Sequence, residues 1–167
     1  MGTKVSKPQR HPLPNVTIRR SRKPDIIDLG PRIRSADMVE IQAFLSVSGE
    51  EALEILHKAL EPCWSIVVDG KVEMMFGATR FGEVKADADY LICAVGSDWV
   101  YSNPLEFLRW SRPWMKHIMD GKTGMNWVWE DNAPALRWLK HCGAELIENK
   151  SISGRNFIKF VIDGSKL

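Results

Sequence analysis

Asn126-Trp127-Val128-Trp129-Glu130-Asp131-Asn132-Ala133-Pro134-Ala135-Leu136-Arg137-Trp138-Leu139-Lys140-His141-Cys142-Gly143-Ala144 packs a strand end, a helix cap, a helix and a stop signal into one short run. Trp127 and Trp129 alternate around Val128 with the period of two that a strand requires, which predicts a strand over Met125–Trp129. Asn132 is a favoured cap. Pro134 falls in the first helical turn, where its missing N–H would have had no partner. The helix predicted over Pro134–His141 stops at Gly143, a residue free to turn left-handed.

Working upstream, the apolar run Tyr90–Val95 reads as a strand covered on both faces. Ser102-Asn103-Pro104 then caps a long helix with Leu105, Leu108, Trp114, Met115 and Ile118 inward and a kink at Pro113. Before these, a Gly82–Asp89 loop follows a hairpin: Cys63–Val68 and Val72–Gly77 are joined by Asp69-Gly70, a pair suited to the positive φ of a two-residue turn. Ser48 with Glu51 three residues on forms a capping box ahead of the stripe Ala52, Leu53, Leu56 and Leu60. Asp37–Leu45 has helical spacing through Met38, Ile41 and Leu45, Pro24–Leu29 starts a helical turn, and Val16–Arg19 alternates like a strand. Downstream, Ala144–Ile147 and Phe157–Ile162 form a terminal strand pair. The order β-α-α-β-β-β-α-β-α-β-β predicts an α/β fold with a mixed sheet.

The composition, 44% hydrophobic and 26% charged over 167 residues, is that of one ordinary globular domain. Its apolar runs fall short of the ~20 residues a membrane helix needs, and no apolar stretch follows the basic N-terminus as in a signal peptide. The expectation is a protein with no membrane segment that stays in the cytosol or wherever it is packaged. Cys63, Cys93 and Cys142 are too few and too widely spaced for a disulfide framework, and predict free thiols, mostly buried. Nine of the 23 Lys and Arg residues but two of the 21 acids lie in residues 1–34. Residues 1–15, with Pro8, Pro12 and Pro14 and no aromatic side chain, predict a disordered basic tail ahead of a domain over 16–167. Such a tail is a solubilising leader or an arm for nucleic acid or an acidic partner.

The element order resembles that of the GCN5-related N-acetyltransferase (GNAT) fold, and Asn132, Ala135 and Gly143 match its strand-end Asn, helix Ala and strand-opening Gly. The chain is also similar to the internal virion protein A family of short-tailed bacteriophages. That likeness lies in Asn126–Trp129, Asn132 and Arg137–Ala144, with support from Ile18-Arg19-Arg20, Asp25-Ile26, Arg34–Glu40 and Phe107–Arg112. The resemblance implies a mixed, mostly antiparallel sheet with flanking helices. It further implies a non-catalytic phage or prophage protein of virion or internal-protein assembly, with phage structural or internal proteins as partners, in the host cytoplasm or virion. The alternatives are an acetyl-CoA-dependent N-acyltransferase and a small host-factor-binding protein.

Acetyl transfer on this fold calls for backbone N–H groups at the helix after the fourth strand, where family members carry glycines that let a diphosphate approach. Here Gly96–Pro104 lacks those glycines, Asp98 would repel phosphate, and Pro104 has no donor. No cofactor is therefore expected, and acetyl-CoA only if the chain is an enzyme. In that case the resemblance directs Ser102, Asn103, Arg109, Arg112 and Asn132 toward it. The position where the family often has a Tyr acid is Leu139, which moves no proton; Tyr101 is a substitute that sequence cannot place. Arg34, Asp37 and Glu40 share one helical face. Either Glu40 and Asp37 are the catalytic carboxylates that bind or deprotonate an amine, or the three form a solvated ion-pair ladder. His57, His117 and His141 lack ligand spacing, so no metal is expected. Trp127 and Trp129, on one sheet face, read as core cover.

Overall fold

The computed structural model describes residues 15–80 and 88–167. Apart from Asn15, the expected tail lies outside them, as does most of the expected Gly82–Asp89 loop. Asn15 itself belongs to the fold: its N–H donates to Asp69 Oδ1 at 3.0 Å and its carbonyl accepts from Asp69 N–H at 3.0 Å.

The hairpin forms as its turn residues dictate. β2 (Cys63–Val68) and β3 (Lys71–Arg80) meet at Asp69-Gly70, both with positive φ, at 48° and 83°. β1 (Val16–Arg20) pairs antiparallel with β2, and β4 (Tyr90–Gly96) antiparallel with β3. β5 (Thr123–Trp129) runs parallel to β4, while β7 (Arg155–Asp163) inserts between β5 and the edge strand β6 (Glu145–Ile152). The result is one seven-stranded sheet of order β1-β2-β3-β4-β5-β7-β6, mixed and mostly antiparallel, with helices on its faces.

Helices α1 (Lys23–Leu29), α2 (Ser35–Phe44) and α3 (Gly49–Ala59) cover one face, burying Ile26, Leu29, Ile41 and Leu53 against Val72, Met75 and Val95. The box at α3 is reciprocal: Glu51 N–H donates to Ser48 Oγ at 3.2 Å and Ser48 N–H to Glu51 Oε2 at 2.9 Å. After the short turn α4 (Trp99–Ser102), α5 (Pro104–Met119) and α6 (Ala133–His141) cover the other face. α1 is anchored by Asp25, whose carboxylate accepts from Arg19 (2.7 and 2.8 Å), the Arg22 N–H and Ser65. Burial would raise this carboxyl; those donors outweigh it and hold it below the ordinary range.

The inward set expected for α5 is corrected at Leu105, which is 82% exposed: the buried stripe is Phe107, Ser111, Met115 and Met119, with Trp114 and Ile118 packed against the core and Leu108 on the cavity. Pro113 lies inside α5, exposed, and the helix runs on to Met119. Asn103 precedes it without a side-chain cap and donates instead to the Trp99 carbonyl at 3.0 Å. Trp127 and Trp129 are half-buried under Lys159 and Arg155 of β7, not members of the core. Among the described residues no helix is long and apolar enough to cross a membrane.

Candidate active site

β4 and β5 pair only through Tyr90 with Gly124 and Leu91 with Met125, then part. Gly124 suits this junction, because a Cβ there would press on the side chains of Ile92 and Met119. Beyond it the Asn126 side chain stands in for the missing ladder. Its Nδ2 donates to the Ile92 carbonyl at 2.6 Å and its Oδ1 accepts from the Trp127 N–H at 2.7 Å. The parting opens a cavity of about 400 Å³ with Ile92, Ala94, Trp127 and Val128 along the strands and Phe107 and Trp138 from the helices.

Its polar end comes from α2. Asp37 Oδ1 accepts from Arg34 Nε at 2.6 Å, and Oδ2 from the Gly96 N–H at 2.8 Å, while the Gly96 carbonyl accepts from the Arg34 N–H at 3.0 Å. One turn on, Glu40 Oε1 accepts from both the Trp129 N–H and Asn132 Nδ2 at 3.1 Å. Tyr101 donates its hydroxyl to Asn132 Oδ1 at 2.6 Å. The Arg34 guanidinium lies 4.4 Å over the Tyr101 ring, and its buried Nη1 has no hydrogen-bond partner.

Arg34 and Asp37 are buried at 7% and 3% exposure, so the solvated ladder is not what forms. Burial, reinforced by Asp37 and opposed by the Trp129 and Asn132 donors, raises Glu40 to about 7. Burial also raises Asp37, against the pull of Arg34 and Gly96, and raises Tyr101 to about 12. Because both bonds to Glu40 converge on Oε1, Oε2 is left open among the described residues. A carboxyl near 7 at a cavity wall can hold or accept a proton at neutral pH.

Three comparisons bear on this architecture. The ribosomal-protein-S18-alanine N-acetyltransferase of Escherichia coli is 13% identical at a TM-score of 0.63, over 90% of this chain and 95% of that one. A GNAT-family acetyltransferase of Bacillus anthracis is 10% identical at 0.64, over 89% and 95%. An N-acetyltransferase of Staphylococcus aureus is 10% identical at 0.61, over 90% and 99%. The fold is that of the GNAT acetyltransferases. No family model and no curated protein sequence matches the chain.

On this GNAT frame the sequence candidates divide. Asp37, Glu40 and Asn132 line the cavity, together with Tyr101 and Arg34. Ser102, Asn103, Arg109 and Arg112 do not line it: Ser102 and Arg112 are exposed, and Arg109 pairs with Glu106 at 3.6 Å. Leu139, at the position of the family acid, is 2% exposed in the cavity wall. Sequence reasoning missed Asn126, whose signal was a lone amide inside an otherwise apolar strand.

The turn after β4 does not fit the diphosphate of acetyl-CoA. Three of its backbone donors are taken by the chain's own acceptors: Gly96 N–H by Asp37, Ser97 N–H by the Glu73 carbonyl at 2.9 Å, and Trp99 N–H by Ser97 Oγ at 3.2 Å. Ser97 Oγ in turn donates to the Glu73 carboxylate, and the exposed Asp98 adds negative charge beside them.

Proposed function

We propose that the chain is a GNAT-type N-acyltransferase in which Glu40 receives the proton of the attacking amine. The observation that carries this reading is the open Oε2 of Glu40, raised to about 7, at the polar end of the gap between β4 and β5. Acyl transfer joins an amine nitrogen to an acyl carbon, expels a thiolate and frees one proton from the nitrogen. As a carboxylate, Glu40 is placed to accept that proton at Oε2. Asn132 orients Glu40 through Oε1 and is itself oriented by Tyr101. Tyr101 stays protonated at neutral pH, and the thiolate takes its proton from solvent.

The test is acyl transfer from acetyl thioesters to a panel of primary amines, followed by mass spectrometry across pH 5.5–9. Activity should rise through an inflection near Glu40's value, and Glu40→Gln should abolish it with the fold intact. Full activity in Glu40→Gln would overturn the assignment.

The engaged donors after β4 favour a second reading, a GNAT-like protein that has no acyl donor; a role in phage virion or internal-protein assembly would then rest on the sequence resemblance alone. That reading predicts no transfer with any thioester and association with phage structural or internal proteins.

A further inference from the structure

We infer that the phosphate of the acyl donor is held by side chains of α6, Arg137 and His141, in place of the backbone turn after β4. This inference rests on the acyltransferase reading and names the donor's class: an acyl thioester on a phosphorylated pantetheine arm, whether free coenzyme or an arm carried by a protein.

Arg137 and His141 lie one helical turn apart, so they share a face of α6, and both line the cavity. Pro104 and Leu108 of α5 line the same cavity and bring no charge. Among the described residues Arg137 and His141 have no ion pair or hydrogen bond, whereas Arg109 is engaged by Glu106. Both are exposed, so their donors meet solvent at the cavity that Glu40 also lines.

The turn after β4 is a poor site for the anion. Taking Gly96 N–H from Asp37 would strip a donor from a carboxylate that is 3% exposed. Pro104 contributes no N–H at the start of α5, and Asp98 repels phosphate. The guanidinium and imidazole of α6 supply what the turn withholds, with planar donors suited to phosphate oxygens.

The experiment is calorimetric titration of the full chain with acetyl-CoA, acetyl-4′-phosphopantetheine, acetylpantetheine and an acetylated acyl carrier protein. The phosphorylated donors should bind tighter than acetylpantetheine by about tenfold or more, the size expected of a charged hydrogen bond. Arg137→Gln should erase most of that advantage and leave acetylpantetheine unchanged. His141→Asn should erase part of it, and Arg109→Gln none. A tighter coenzyme or a tighter carrier protein names the source, and either ordering supports the site. Equal binding of phosphorylated and unphosphorylated arms overturns the site alone, as does an advantage that survives Arg137→Gln. Failure of every donor to bind, acetylpantetheine included, overturns the site and the acyltransferase reading together.

Discussion

Asp37 and Glu40, neighbours across one turn of α2, fasten the ends of two different strands: Asp37 takes the Gly96 N–H that closes β4, and Glu40 takes the Trp129 N–H that closes β5. α2 thereby spans the gap that the two strands leave. The carboxylates that head the cavity also hold its rims, so their ionisation bears on stability as well as on chemistry.

The Glu40 carboxyl is raised in the folded chain from an ordinary value of 4.5 to about 7. Between those values the folded state binds more protons than the unfolded, so stability falls as pH climbs from 5 to 8, by up to about 3 kcal/mol from this group. Glu40→Gln can still accept both hydrogen bonds and does not titrate. Urea midpoints at pH 5 and pH 8 should therefore show the variant gaining on the wild type as pH rises. A difference that is the same at both pH values would refute the shift.

Asn132 is more than a helix cap, because its bond to Ala135 N–H is long, at 3.4 Å, and its shorter bonds go to Tyr101 and Glu40. Seen as a cap alone, Asp would replace it without loss. Here Asn132→Asp sets a carboxylate against Glu40 and removes the donor between them. It should cost about 2–3 kcal/mol at pH 8 and less at pH 6, where Glu40 is protonated and can donate. Asn132→Ala should cost about 2 kcal/mol with a weaker pH trend. An Asp variant as stable as wild type at pH 8 would return Asn132 to the role of a plain cap.

Asp25 ties α1 to β1 and β2, and its carboxyl is held low by Arg19, Arg22 and Ser65 after burial is offset. Its stabilisation is present above the unfolded carboxylate range and disappears as pH falls through the lower folded value. Asp25→Ala should cost about 2–4 kcal/mol at pH 7, with the gap to wild type narrowing in acid. Thermal melts at pH 7 and pH 3 test this; an equal gap at both would contradict it.

Gly124 sets where the strands part. Gly124→Ala should cost about 1–3 kcal/mol through overpacking against Ile92 and Met119. Combining it with Ile92→Val should recover part of the loss, measured by denaturant midpoints. Simple additivity of the two costs would argue against contact at this junction.

The features legible in the sequence were those written in neighbouring residues: the Asp69-Gly70 turn, the Ser48–Glu51 box, and the Asn132–Gly143 helix with its cap and stop. The parting of β4 from β5 was not legible, since it depends on Asn126 meeting Ile92, two residues remote in the chain. Helical spacing placed Arg34, Asp37 and Glu40 on one face, yet could not say whether that face meets water or the gap. Burial of the charges follows from the strand ends they satisfy. The inward face of α5 was misjudged at Leu105 because periodicity sets spacing and leaves the phase to packing; the stripe that packs starts at Phe107.

The Asn126 side chain acts as a fixed strut in the split sheet. A sheet that had to be pried apart by its occupant would surrender backbone hydrogen bonds at each binding event, and the encounter would be slow and weak. With Ile92 and Trp127 already satisfied by one amide, the gap is preorganised. The ordering cost of keeping it open is met once, during folding, and an incoming arm loses freedom only on its own account.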